Sequence, residues 1–183
     1  MSMQSILVSA SGEDRPGLVA AVTRVLYEMG GNLEDSAMTR LEGAFAMLMV
    51  ASFDSGQIEA LRQALVEVGR DAGLSVQVKI MTEAEARTPA PGGSPYIISL
   101  YGADKPGLVY RVATLLEHLH VNITDVVTHR SAASLARGPL YQLVFEVELP
   151  SVVDVDDFRT RLAELGRELQ VEIVVNRMEI VEL

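Results

Sequence analysis

Residues 1–81 alternate between short apolar runs and longer stretches of helical period. "SILVSAS" (Ser5 to Ser11) is brief and β-rich, which predicts a strand. From Gly17 the period changes. Leu18, Val22, Val25, Leu26 and Met29 recur at helical spacing, so one stripe faces a core, and Gly30-Gly31 supplies the stop. "NLEDSAMTRL" and "AFAMLMVASF" read as two strands joined by a turn at Glu42-Gly43. Ile58, Leu61, Leu65, Val68 and Ala72 mark a second helix, and "LSVQVKI" a last strand. The predicted order is β-α-β-β-α-β.

The order is then repeated. "YIISLYG" is a strand, and Leu108, Val112, Leu115, Leu116 and Leu119 form a helix stripe. "VNITDVVTHR" and "LYQLVFEVEL" form the hairpin, Val155, Phe158, Leu162, Leu165 and Leu169 the second helix, and "VEIVVNRMEIV" the closing strand. The echo extends to wording: "GEDRPGLVAAV" from Gly12 returns as "GADKPGLVYRV" from Gly102, and Asn32, Asp35 and Arg40 return as Asn122, Asp125 and Arg130 at the same offset. A fixed period of this kind marks a duplicated domain. Aligning Ala44 with Leu140 requires about six extra residues in the second hairpin, around "SAASLARGP". "TEAEARTPAPGGSP" is polar and rich in Pro and Gly, as a linker is. The expected organisation is therefore domain 1 over 1–81, a linker over 82–94 and domain 2 over 95–183. Each domain is expected to be α+β and ferredoxin-like, a four-stranded antiparallel sheet with its helices on one face.

Composition narrows the function. The net charge is −10, and both halves share it: residues 1–81 hold 6 basic against 10 acidic residues, and 95–183 hold 8 against 13. A grip on nucleic acid draws on clustered Lys and Arg, so direct DNA binding is not expected. RNA binding on the sheet would need stacking aromatics in a basic field, and the chain has 5% aromatics and no Trp. No apolar run reaches the length of a membrane span, no signal peptide is legible, and there are no cysteines, all of which suits a cytoplasmic address. No nucleophile with a neighbouring base emerges, so no catalytic residue is named. His118, His120 and His129 lack metal-ligand spacing, and neither a metal nor a cofactor is expected. Asp154, Asp156 and Asp157 at a helix start need only the helix dipole. Met38, Met47 and Met49 are expected to fill a sheet face or an interface.

The repeated phrase sits where a strand hands over to a helix. Beyond Pro16, exposed N–H groups and the helix dipole favour an anion such as a carboxylate, while Asp14 suits an ammonium group. Together they meet the needs of a zwitterionic amino acid. The plainer alternative is that Asp14 caps the helix and Pro16-Gly17 merely makes the turn. Arg40 and Arg130 could pair a carboxylate, or simply lie on a solvated strand face. Asn32 and Asn122 stand about 20 Å from the loops of their own domains, across the first helix. If the two domains pack about a pseudo-two-fold axis, Asp14 and Gly17 would face Asn122, and Asp104 and Gly107 would face Asn32. A homodimer offers the other arrangement, in which Asp14 meets Asn32 of a second molecule.

D-R-P-G-L with N-L, and D-K-P-G-L with N-I, in two βαββαβ units resemble the ACT domain, a regulatory amino-acid-binding module. As two copies with a linker and no catalytic domain, the chain resembles the glycine cleavage system transcriptional repressor group. The resemblance implies ligand contacts at Asp14, Gly17, Leu18 and Asn32, and at Asp104, Gly107, Leu108 and Asn122. Serine-binding relatives tend to have asparagine where Asp14 and Asp104 stand and a larger polar residue where Gly12 and Gly102 stand, so this chain departs from their pattern; a small amino acid is expected, with glycine or serine to be tried first. The resemblance further implies a non-enzymatic sensor that signals to a protein partner, a transcription factor of glycine or one-carbon metabolism. A regulatory subunit giving feedback control to a biosynthetic enzyme is the alternative. A degenerate pair that keeps only dimerisation is a third reading.

Overall fold

In a computed structural model, the described residues are 3–87, 92–131 and 140–178. The tip of the longer hairpin (132–139), part of the expected linker (88–91) and the end of the expected last strand (179–181) lie outside them. Contacts divide the chain into two compact units, Met1–Thr88 and Pro89–Leu183.

The first unit runs β1 (Met3–Glu13), α1 (Leu18–Glu28), β2 (Asn32–Leu41), β3 (Ala44–Asp54), a 3₁₀ turn (Ser55–Gln57), α2 (Ile58–Asp71) and β4 (Leu74–Ile80). Its antiparallel sheet has the order β2-β3-β1-β4. The hairpin turn falls on Glu42 and Gly43, both at positive φ (47° and 85°), the pairing that a two-residue turn between twisted strands requires. Along β3 the even period is explicit: Phe45, Met47, Met49, Ala51 and Phe53 are buried. They meet Leu18, Val22, Val25 and Leu26 of α1 and Ile58, Leu61 and Leu65 of α2. Each such large side chain contributes about 1.5–3 kcal/mol on full burial, which is what holds both helices to one face.

The second unit repeats this: β5 (Ser94–Ala103), α4 (Leu108–His118), β6 (Asn122–Ser131), β7 (Leu140–Leu149), α5 (Val155–Leu169) and β8 (Glu172–Arg177), with the sheet order β6-β7-β5-β8. Its core gathers Ile98 and Leu100, Leu143, Phe145 and Val147, and the helical Val112, Leu116, Phe158 and Leu162. Asp154 caps α5, its Oδ1 accepting from the N–H groups of Asp156 (3.0 Å) and Asp157 (2.8 Å).

Two details depart from expectation. The linker segment holds one helical turn, α3 (Glu83–Ala86), closed by a reciprocal capping box between Thr82 and Glu85. The strand β2 does not alternate: all ten of its residues are exposed. It lies at the sheet's edge beyond the cover of the helices, so neither of its faces needs to be apolar.

Candidate functional site

The strand-to-helix connection is fixed from both sides. The Asp14 N–H donates to the Gly43 carbonyl at 2.8 Å, tying the loop to the β2–β3 turn. Gly17 then opens α1 at φ 96°, ψ −7°, a conformation glycine adopts far more cheaply than any residue with a Cβ. The first intrahelical bond runs from Ala21 N–H to Gly17 O at 2.9 Å. The N–H groups of Leu18, Val19 and Ala20 therefore have no acceptor within the helix and stand at its positive end. Gly107 repeats the geometry at φ 89°, ψ 1°, with Arg111 N–H bonded to Gly107 O at 2.9 Å. Asp14 does not cap α1: the cap is Gly17, and no side chain bonds the first turn. The plain capping reading of Asp14 is thus set aside.

An open-sided cleft of about 560 Å³ lies against this helix end. Asp14, Arg15, Pro16 and Gly17 line it on the loop side, and Val19, Thr23, Met38 and Phe45 are among its other lining residues. Asp14 Oδ2 stands 3.4 Å from Nη1 of Arg40. The guanidinium is 72% exposed and the carboxylate 28%, so the pair sits at the solvent boundary. Arg40 lies opposite Phe45 in the β2–β3 register, two residues on from Met38, which places it on the cleft's side of the sheet. Arg40 is thus an exposed strand residue, as one sequence reading has it, and it touches the Asp14 carboxylate through a single contact rather than bidentately.

The second position of the repeated phrase has a role the sequence reading missed. Arg15 Nη2 donates to the Asp71 carbonyl at 3.4 Å, at the end of α2. Lys105 Nζ donates to the Leu169 carbonyl (3.0 Å) and to Oε1 of Gln170 (2.9 Å), at the end of α5. Each cation meets the negative end of the second helix of its own unit, where unpaired carbonyls accept it. The signal was a basic residue at the same place in both copies.

The remaining implied contacts are dispersed. Leu18 and Leu108 are 3% exposed and belong to the cores, so their side chains are not open to a ligand. Asn32 lies opposite Ser52 and Arg40 opposite Phe45, seven positions apart along β3, or about 23 Å. Asn122, opposite Glu148, stands equally far from Gly102, opposite Tyr141. The structure thus brings Asp14, Gly17 and Leu18 together and leaves Asn32 at the other end of the unit, as Asp104, Gly107 and Leu108 are separated from Asn122. Both asparagines precede a shift in strand register, between Leu33 and Asp35 and between Ile123 and Asp125, a repeated bulge that sequence reading did not anticipate. Met47 and Met49 are core residues, whereas Met38 is 61% exposed at the cleft. Among the described residues no group of three His, Cys, Asp or Glu side chains could hold a metal ion, and no helix is long and apolar enough to cross a membrane.

Residues 4–79 match the family model of the ACT domain. The "Glycine cleavage system transcriptional repressor" of Escherichia coli is 27% identical over 175 residues, covering 96% of this chain and 90% of that protein. A UPF0237 protein of Methanopyrus kandleri is 35% identical over 79 residues, 42% of this chain and 88% of its own. A crystal structure of an unknown protein from Galdieria sulphuraria superposes with a TM-score of 0.84 at 25% identity, covering 97% of this chain and 100% of that one. The first unit belongs to the ACT-domain family, and the chain, a tandem of two βαββαβ units, is similar over nearly its whole length to a glycine cleavage system transcriptional repressor.

Proposed function

We propose that the protein is a non-enzymatic sensor of a small amino acid that reports to a protein partner in the transcriptional control of glycine or one-carbon metabolism. The observation that carries this reading is the cleft at the start of α1. The first-turn N–H groups at the positive end of α1 suit a carboxylate, and the Asp14 carboxylate beside them suits an ammonium. Asp104, Gly107 and the Leu108 to Tyr110 amides offer the second unit's version of the same chemistry. Asn32 and Asn122, at the far ends of their own units, are kept as proposed ligand contacts.

Similarity to a transcriptional repressor along 96% of this chain supports a role in gene control. With 15 basic residues against 25 acidic ones, the chain is poorly suited to hold DNA itself, so its effect passes through a partner that does. A cytoplasmic location follows from that role. The test has two arms. Glycine or serine should raise the melting temperature, by an amount equivalent to about 2.7 kcal/mol at 100 times the dissociation constant. Capture from native lysate should recover a DNA-binding regulator; recovery of a biosynthetic enzyme in its place would contradict the transcriptional role.

A further inference from the structure

We propose that Arg40 is the specificity-determining cation of the α1 cleft, released from Asp14 when an α-amino acid enters and then bound to the entering carboxylate. The proposal rests on the amino-acid-sensing reading and adds a residue to it. Three observations carry it. Arg40 is paired with the one carboxylate that rims the cleft, through a single contact of 3.4 Å, longer than the roughly 2.7–2.9 Å of a tight charge-assisted bond. The side chain is 72% exposed and makes no other hydrogen bond among the described residues, so it can swing aside at little cost. It stands on the same side of the edge strand as Met38 and opposite Phe45, both of which line the cleft.

The charges then complete a cycle. In the free protein Arg40 neutralises Asp14 across the mouth of the cleft. An entering ammonium replaces the guanidinium at Asp14, and the displaced guanidinium needs an anion. A zwitterion supplies that anion on the same molecule; a simple amine does not. The first-turn amides of α1 hold one carboxylate oxygen, and Arg40, with its planar fork, takes the other. Arg40 therefore favours α-amino acids over amines that lack a carboxylate, because only the former give the displaced guanidinium a new anion. Both members of the pair recur in the second half of the sequence, as Asp104 and Arg130.

Calorimetry on the full chain tests this with the twenty common amino acids, each bound one then being compared with its own α-carboxamide, which keeps the ammonium and loses the anion. The wild type should bind the amino acid about tenfold or more better than the amide, the usual worth of a charge-assisted contact. In Arg40→Gln that ratio should fall several-fold, with amino-acid affinity reduced and amide affinity equal or higher, the remainder being the preference of the α1 amides for an anion. Arg40→Lys should recover part of the ratio, since it keeps the charge without the fork. A melting temperature close to that of the wild type in both variants would show that the fold is intact. A wild-type protein that binds an amino acid while Arg40→Gln keeps the full ratio overturns the role of Arg40 and leaves the sensor reading standing. A wild type that binds none of the twenty at millimolar concentration overturns both.

Discussion

Replacing Gly17 by alanine perturbs the site's foundation without touching any neighbour. At φ 96° a side chain is disfavoured, yet a Cβ built there would meet no atom within 4 Å. Crowding therefore contributes nothing, and the effect is purely one of backbone conformation. Holding an L-residue in the left-handed region costs about 1–2 kcal/mol. Alanine also restricts the unfolded chain, which returns about 0.4–1 kcal/mol. The expected net loss is about 1 kcal/mol. Urea unfolding followed by circular dichroism reads this as a midpoint lower by about 0.3–1 M for the affected unit. Gly56→Ala is the internal control. Its Cβ would lie 3.7 Å from Oδ1 of Asp54, an ordinary contact, and its φ is not in the left-handed region. That variant should be as stable as the wild type or slightly more so. If Gly17→Ala were equally stable, the left-handed start of α1 and the amide geometry built on it would be wrong.

Other expectations follow from single contacts. Asp154→Ala removes the acceptor of two first-turn N–H groups of α5 and should cost about 0.5–2 kcal/mol in the same assay. Lys105→Met keeps most of the aliphatic stem but leaves the Leu169 carbonyl without its cation; a loss of about 0.5–1.5 kcal/mol is expected, and no change would show that solvent replaces the lysine fully. The Glu85 carboxyl is held at about 2, below its ordinary 4.5, by its hydrogen bond with Lys79 and by the Thr82 N–H and hydroxyl. Because the folded value is depressed, the capping box contributes fully above pH 4.5 and is lost as pH falls towards 2; carboxyl shifts followed by NMR should show no Glu85 transition near 4.5.

The sequence made the scaffold legible where periodicity and turn chemistry act locally. Leu18, Val22 and Leu26 recur within one helix, and Glu42-Gly43 announces its turn in two adjacent residues. Asp154 could be read beside the amides it caps. What stayed hidden depends on partners distant in sequence. Arg15 and Asp71 are 56 residues apart, and Asp14 and Arg40 are 26 apart. Only the sheet order brings either pair together. The bulge after Asn32 leaves no composition signal, since it contains no glycine and is set by pairing with β3. The edge strand β2 escaped the alternation rule because residues on both of its sides stay exposed. The separation of Asn32 from Asp14, by contrast, was legible, since helix rise alone requires it.

The central claim, that a small amino acid binds at the start of α1, is tested most directly by mapping backbone amide shifts in the ¹⁵N-labelled full chain during titration with glycine and with serine. The largest saturable changes should fall on the Leu18, Val19 and Ala20 amides, with the Arg40 side-chain Nε signal moving alongside them. Saturable changes confined to the open sheet face, or no change with either amino acid at millimolar concentration, would contradict it.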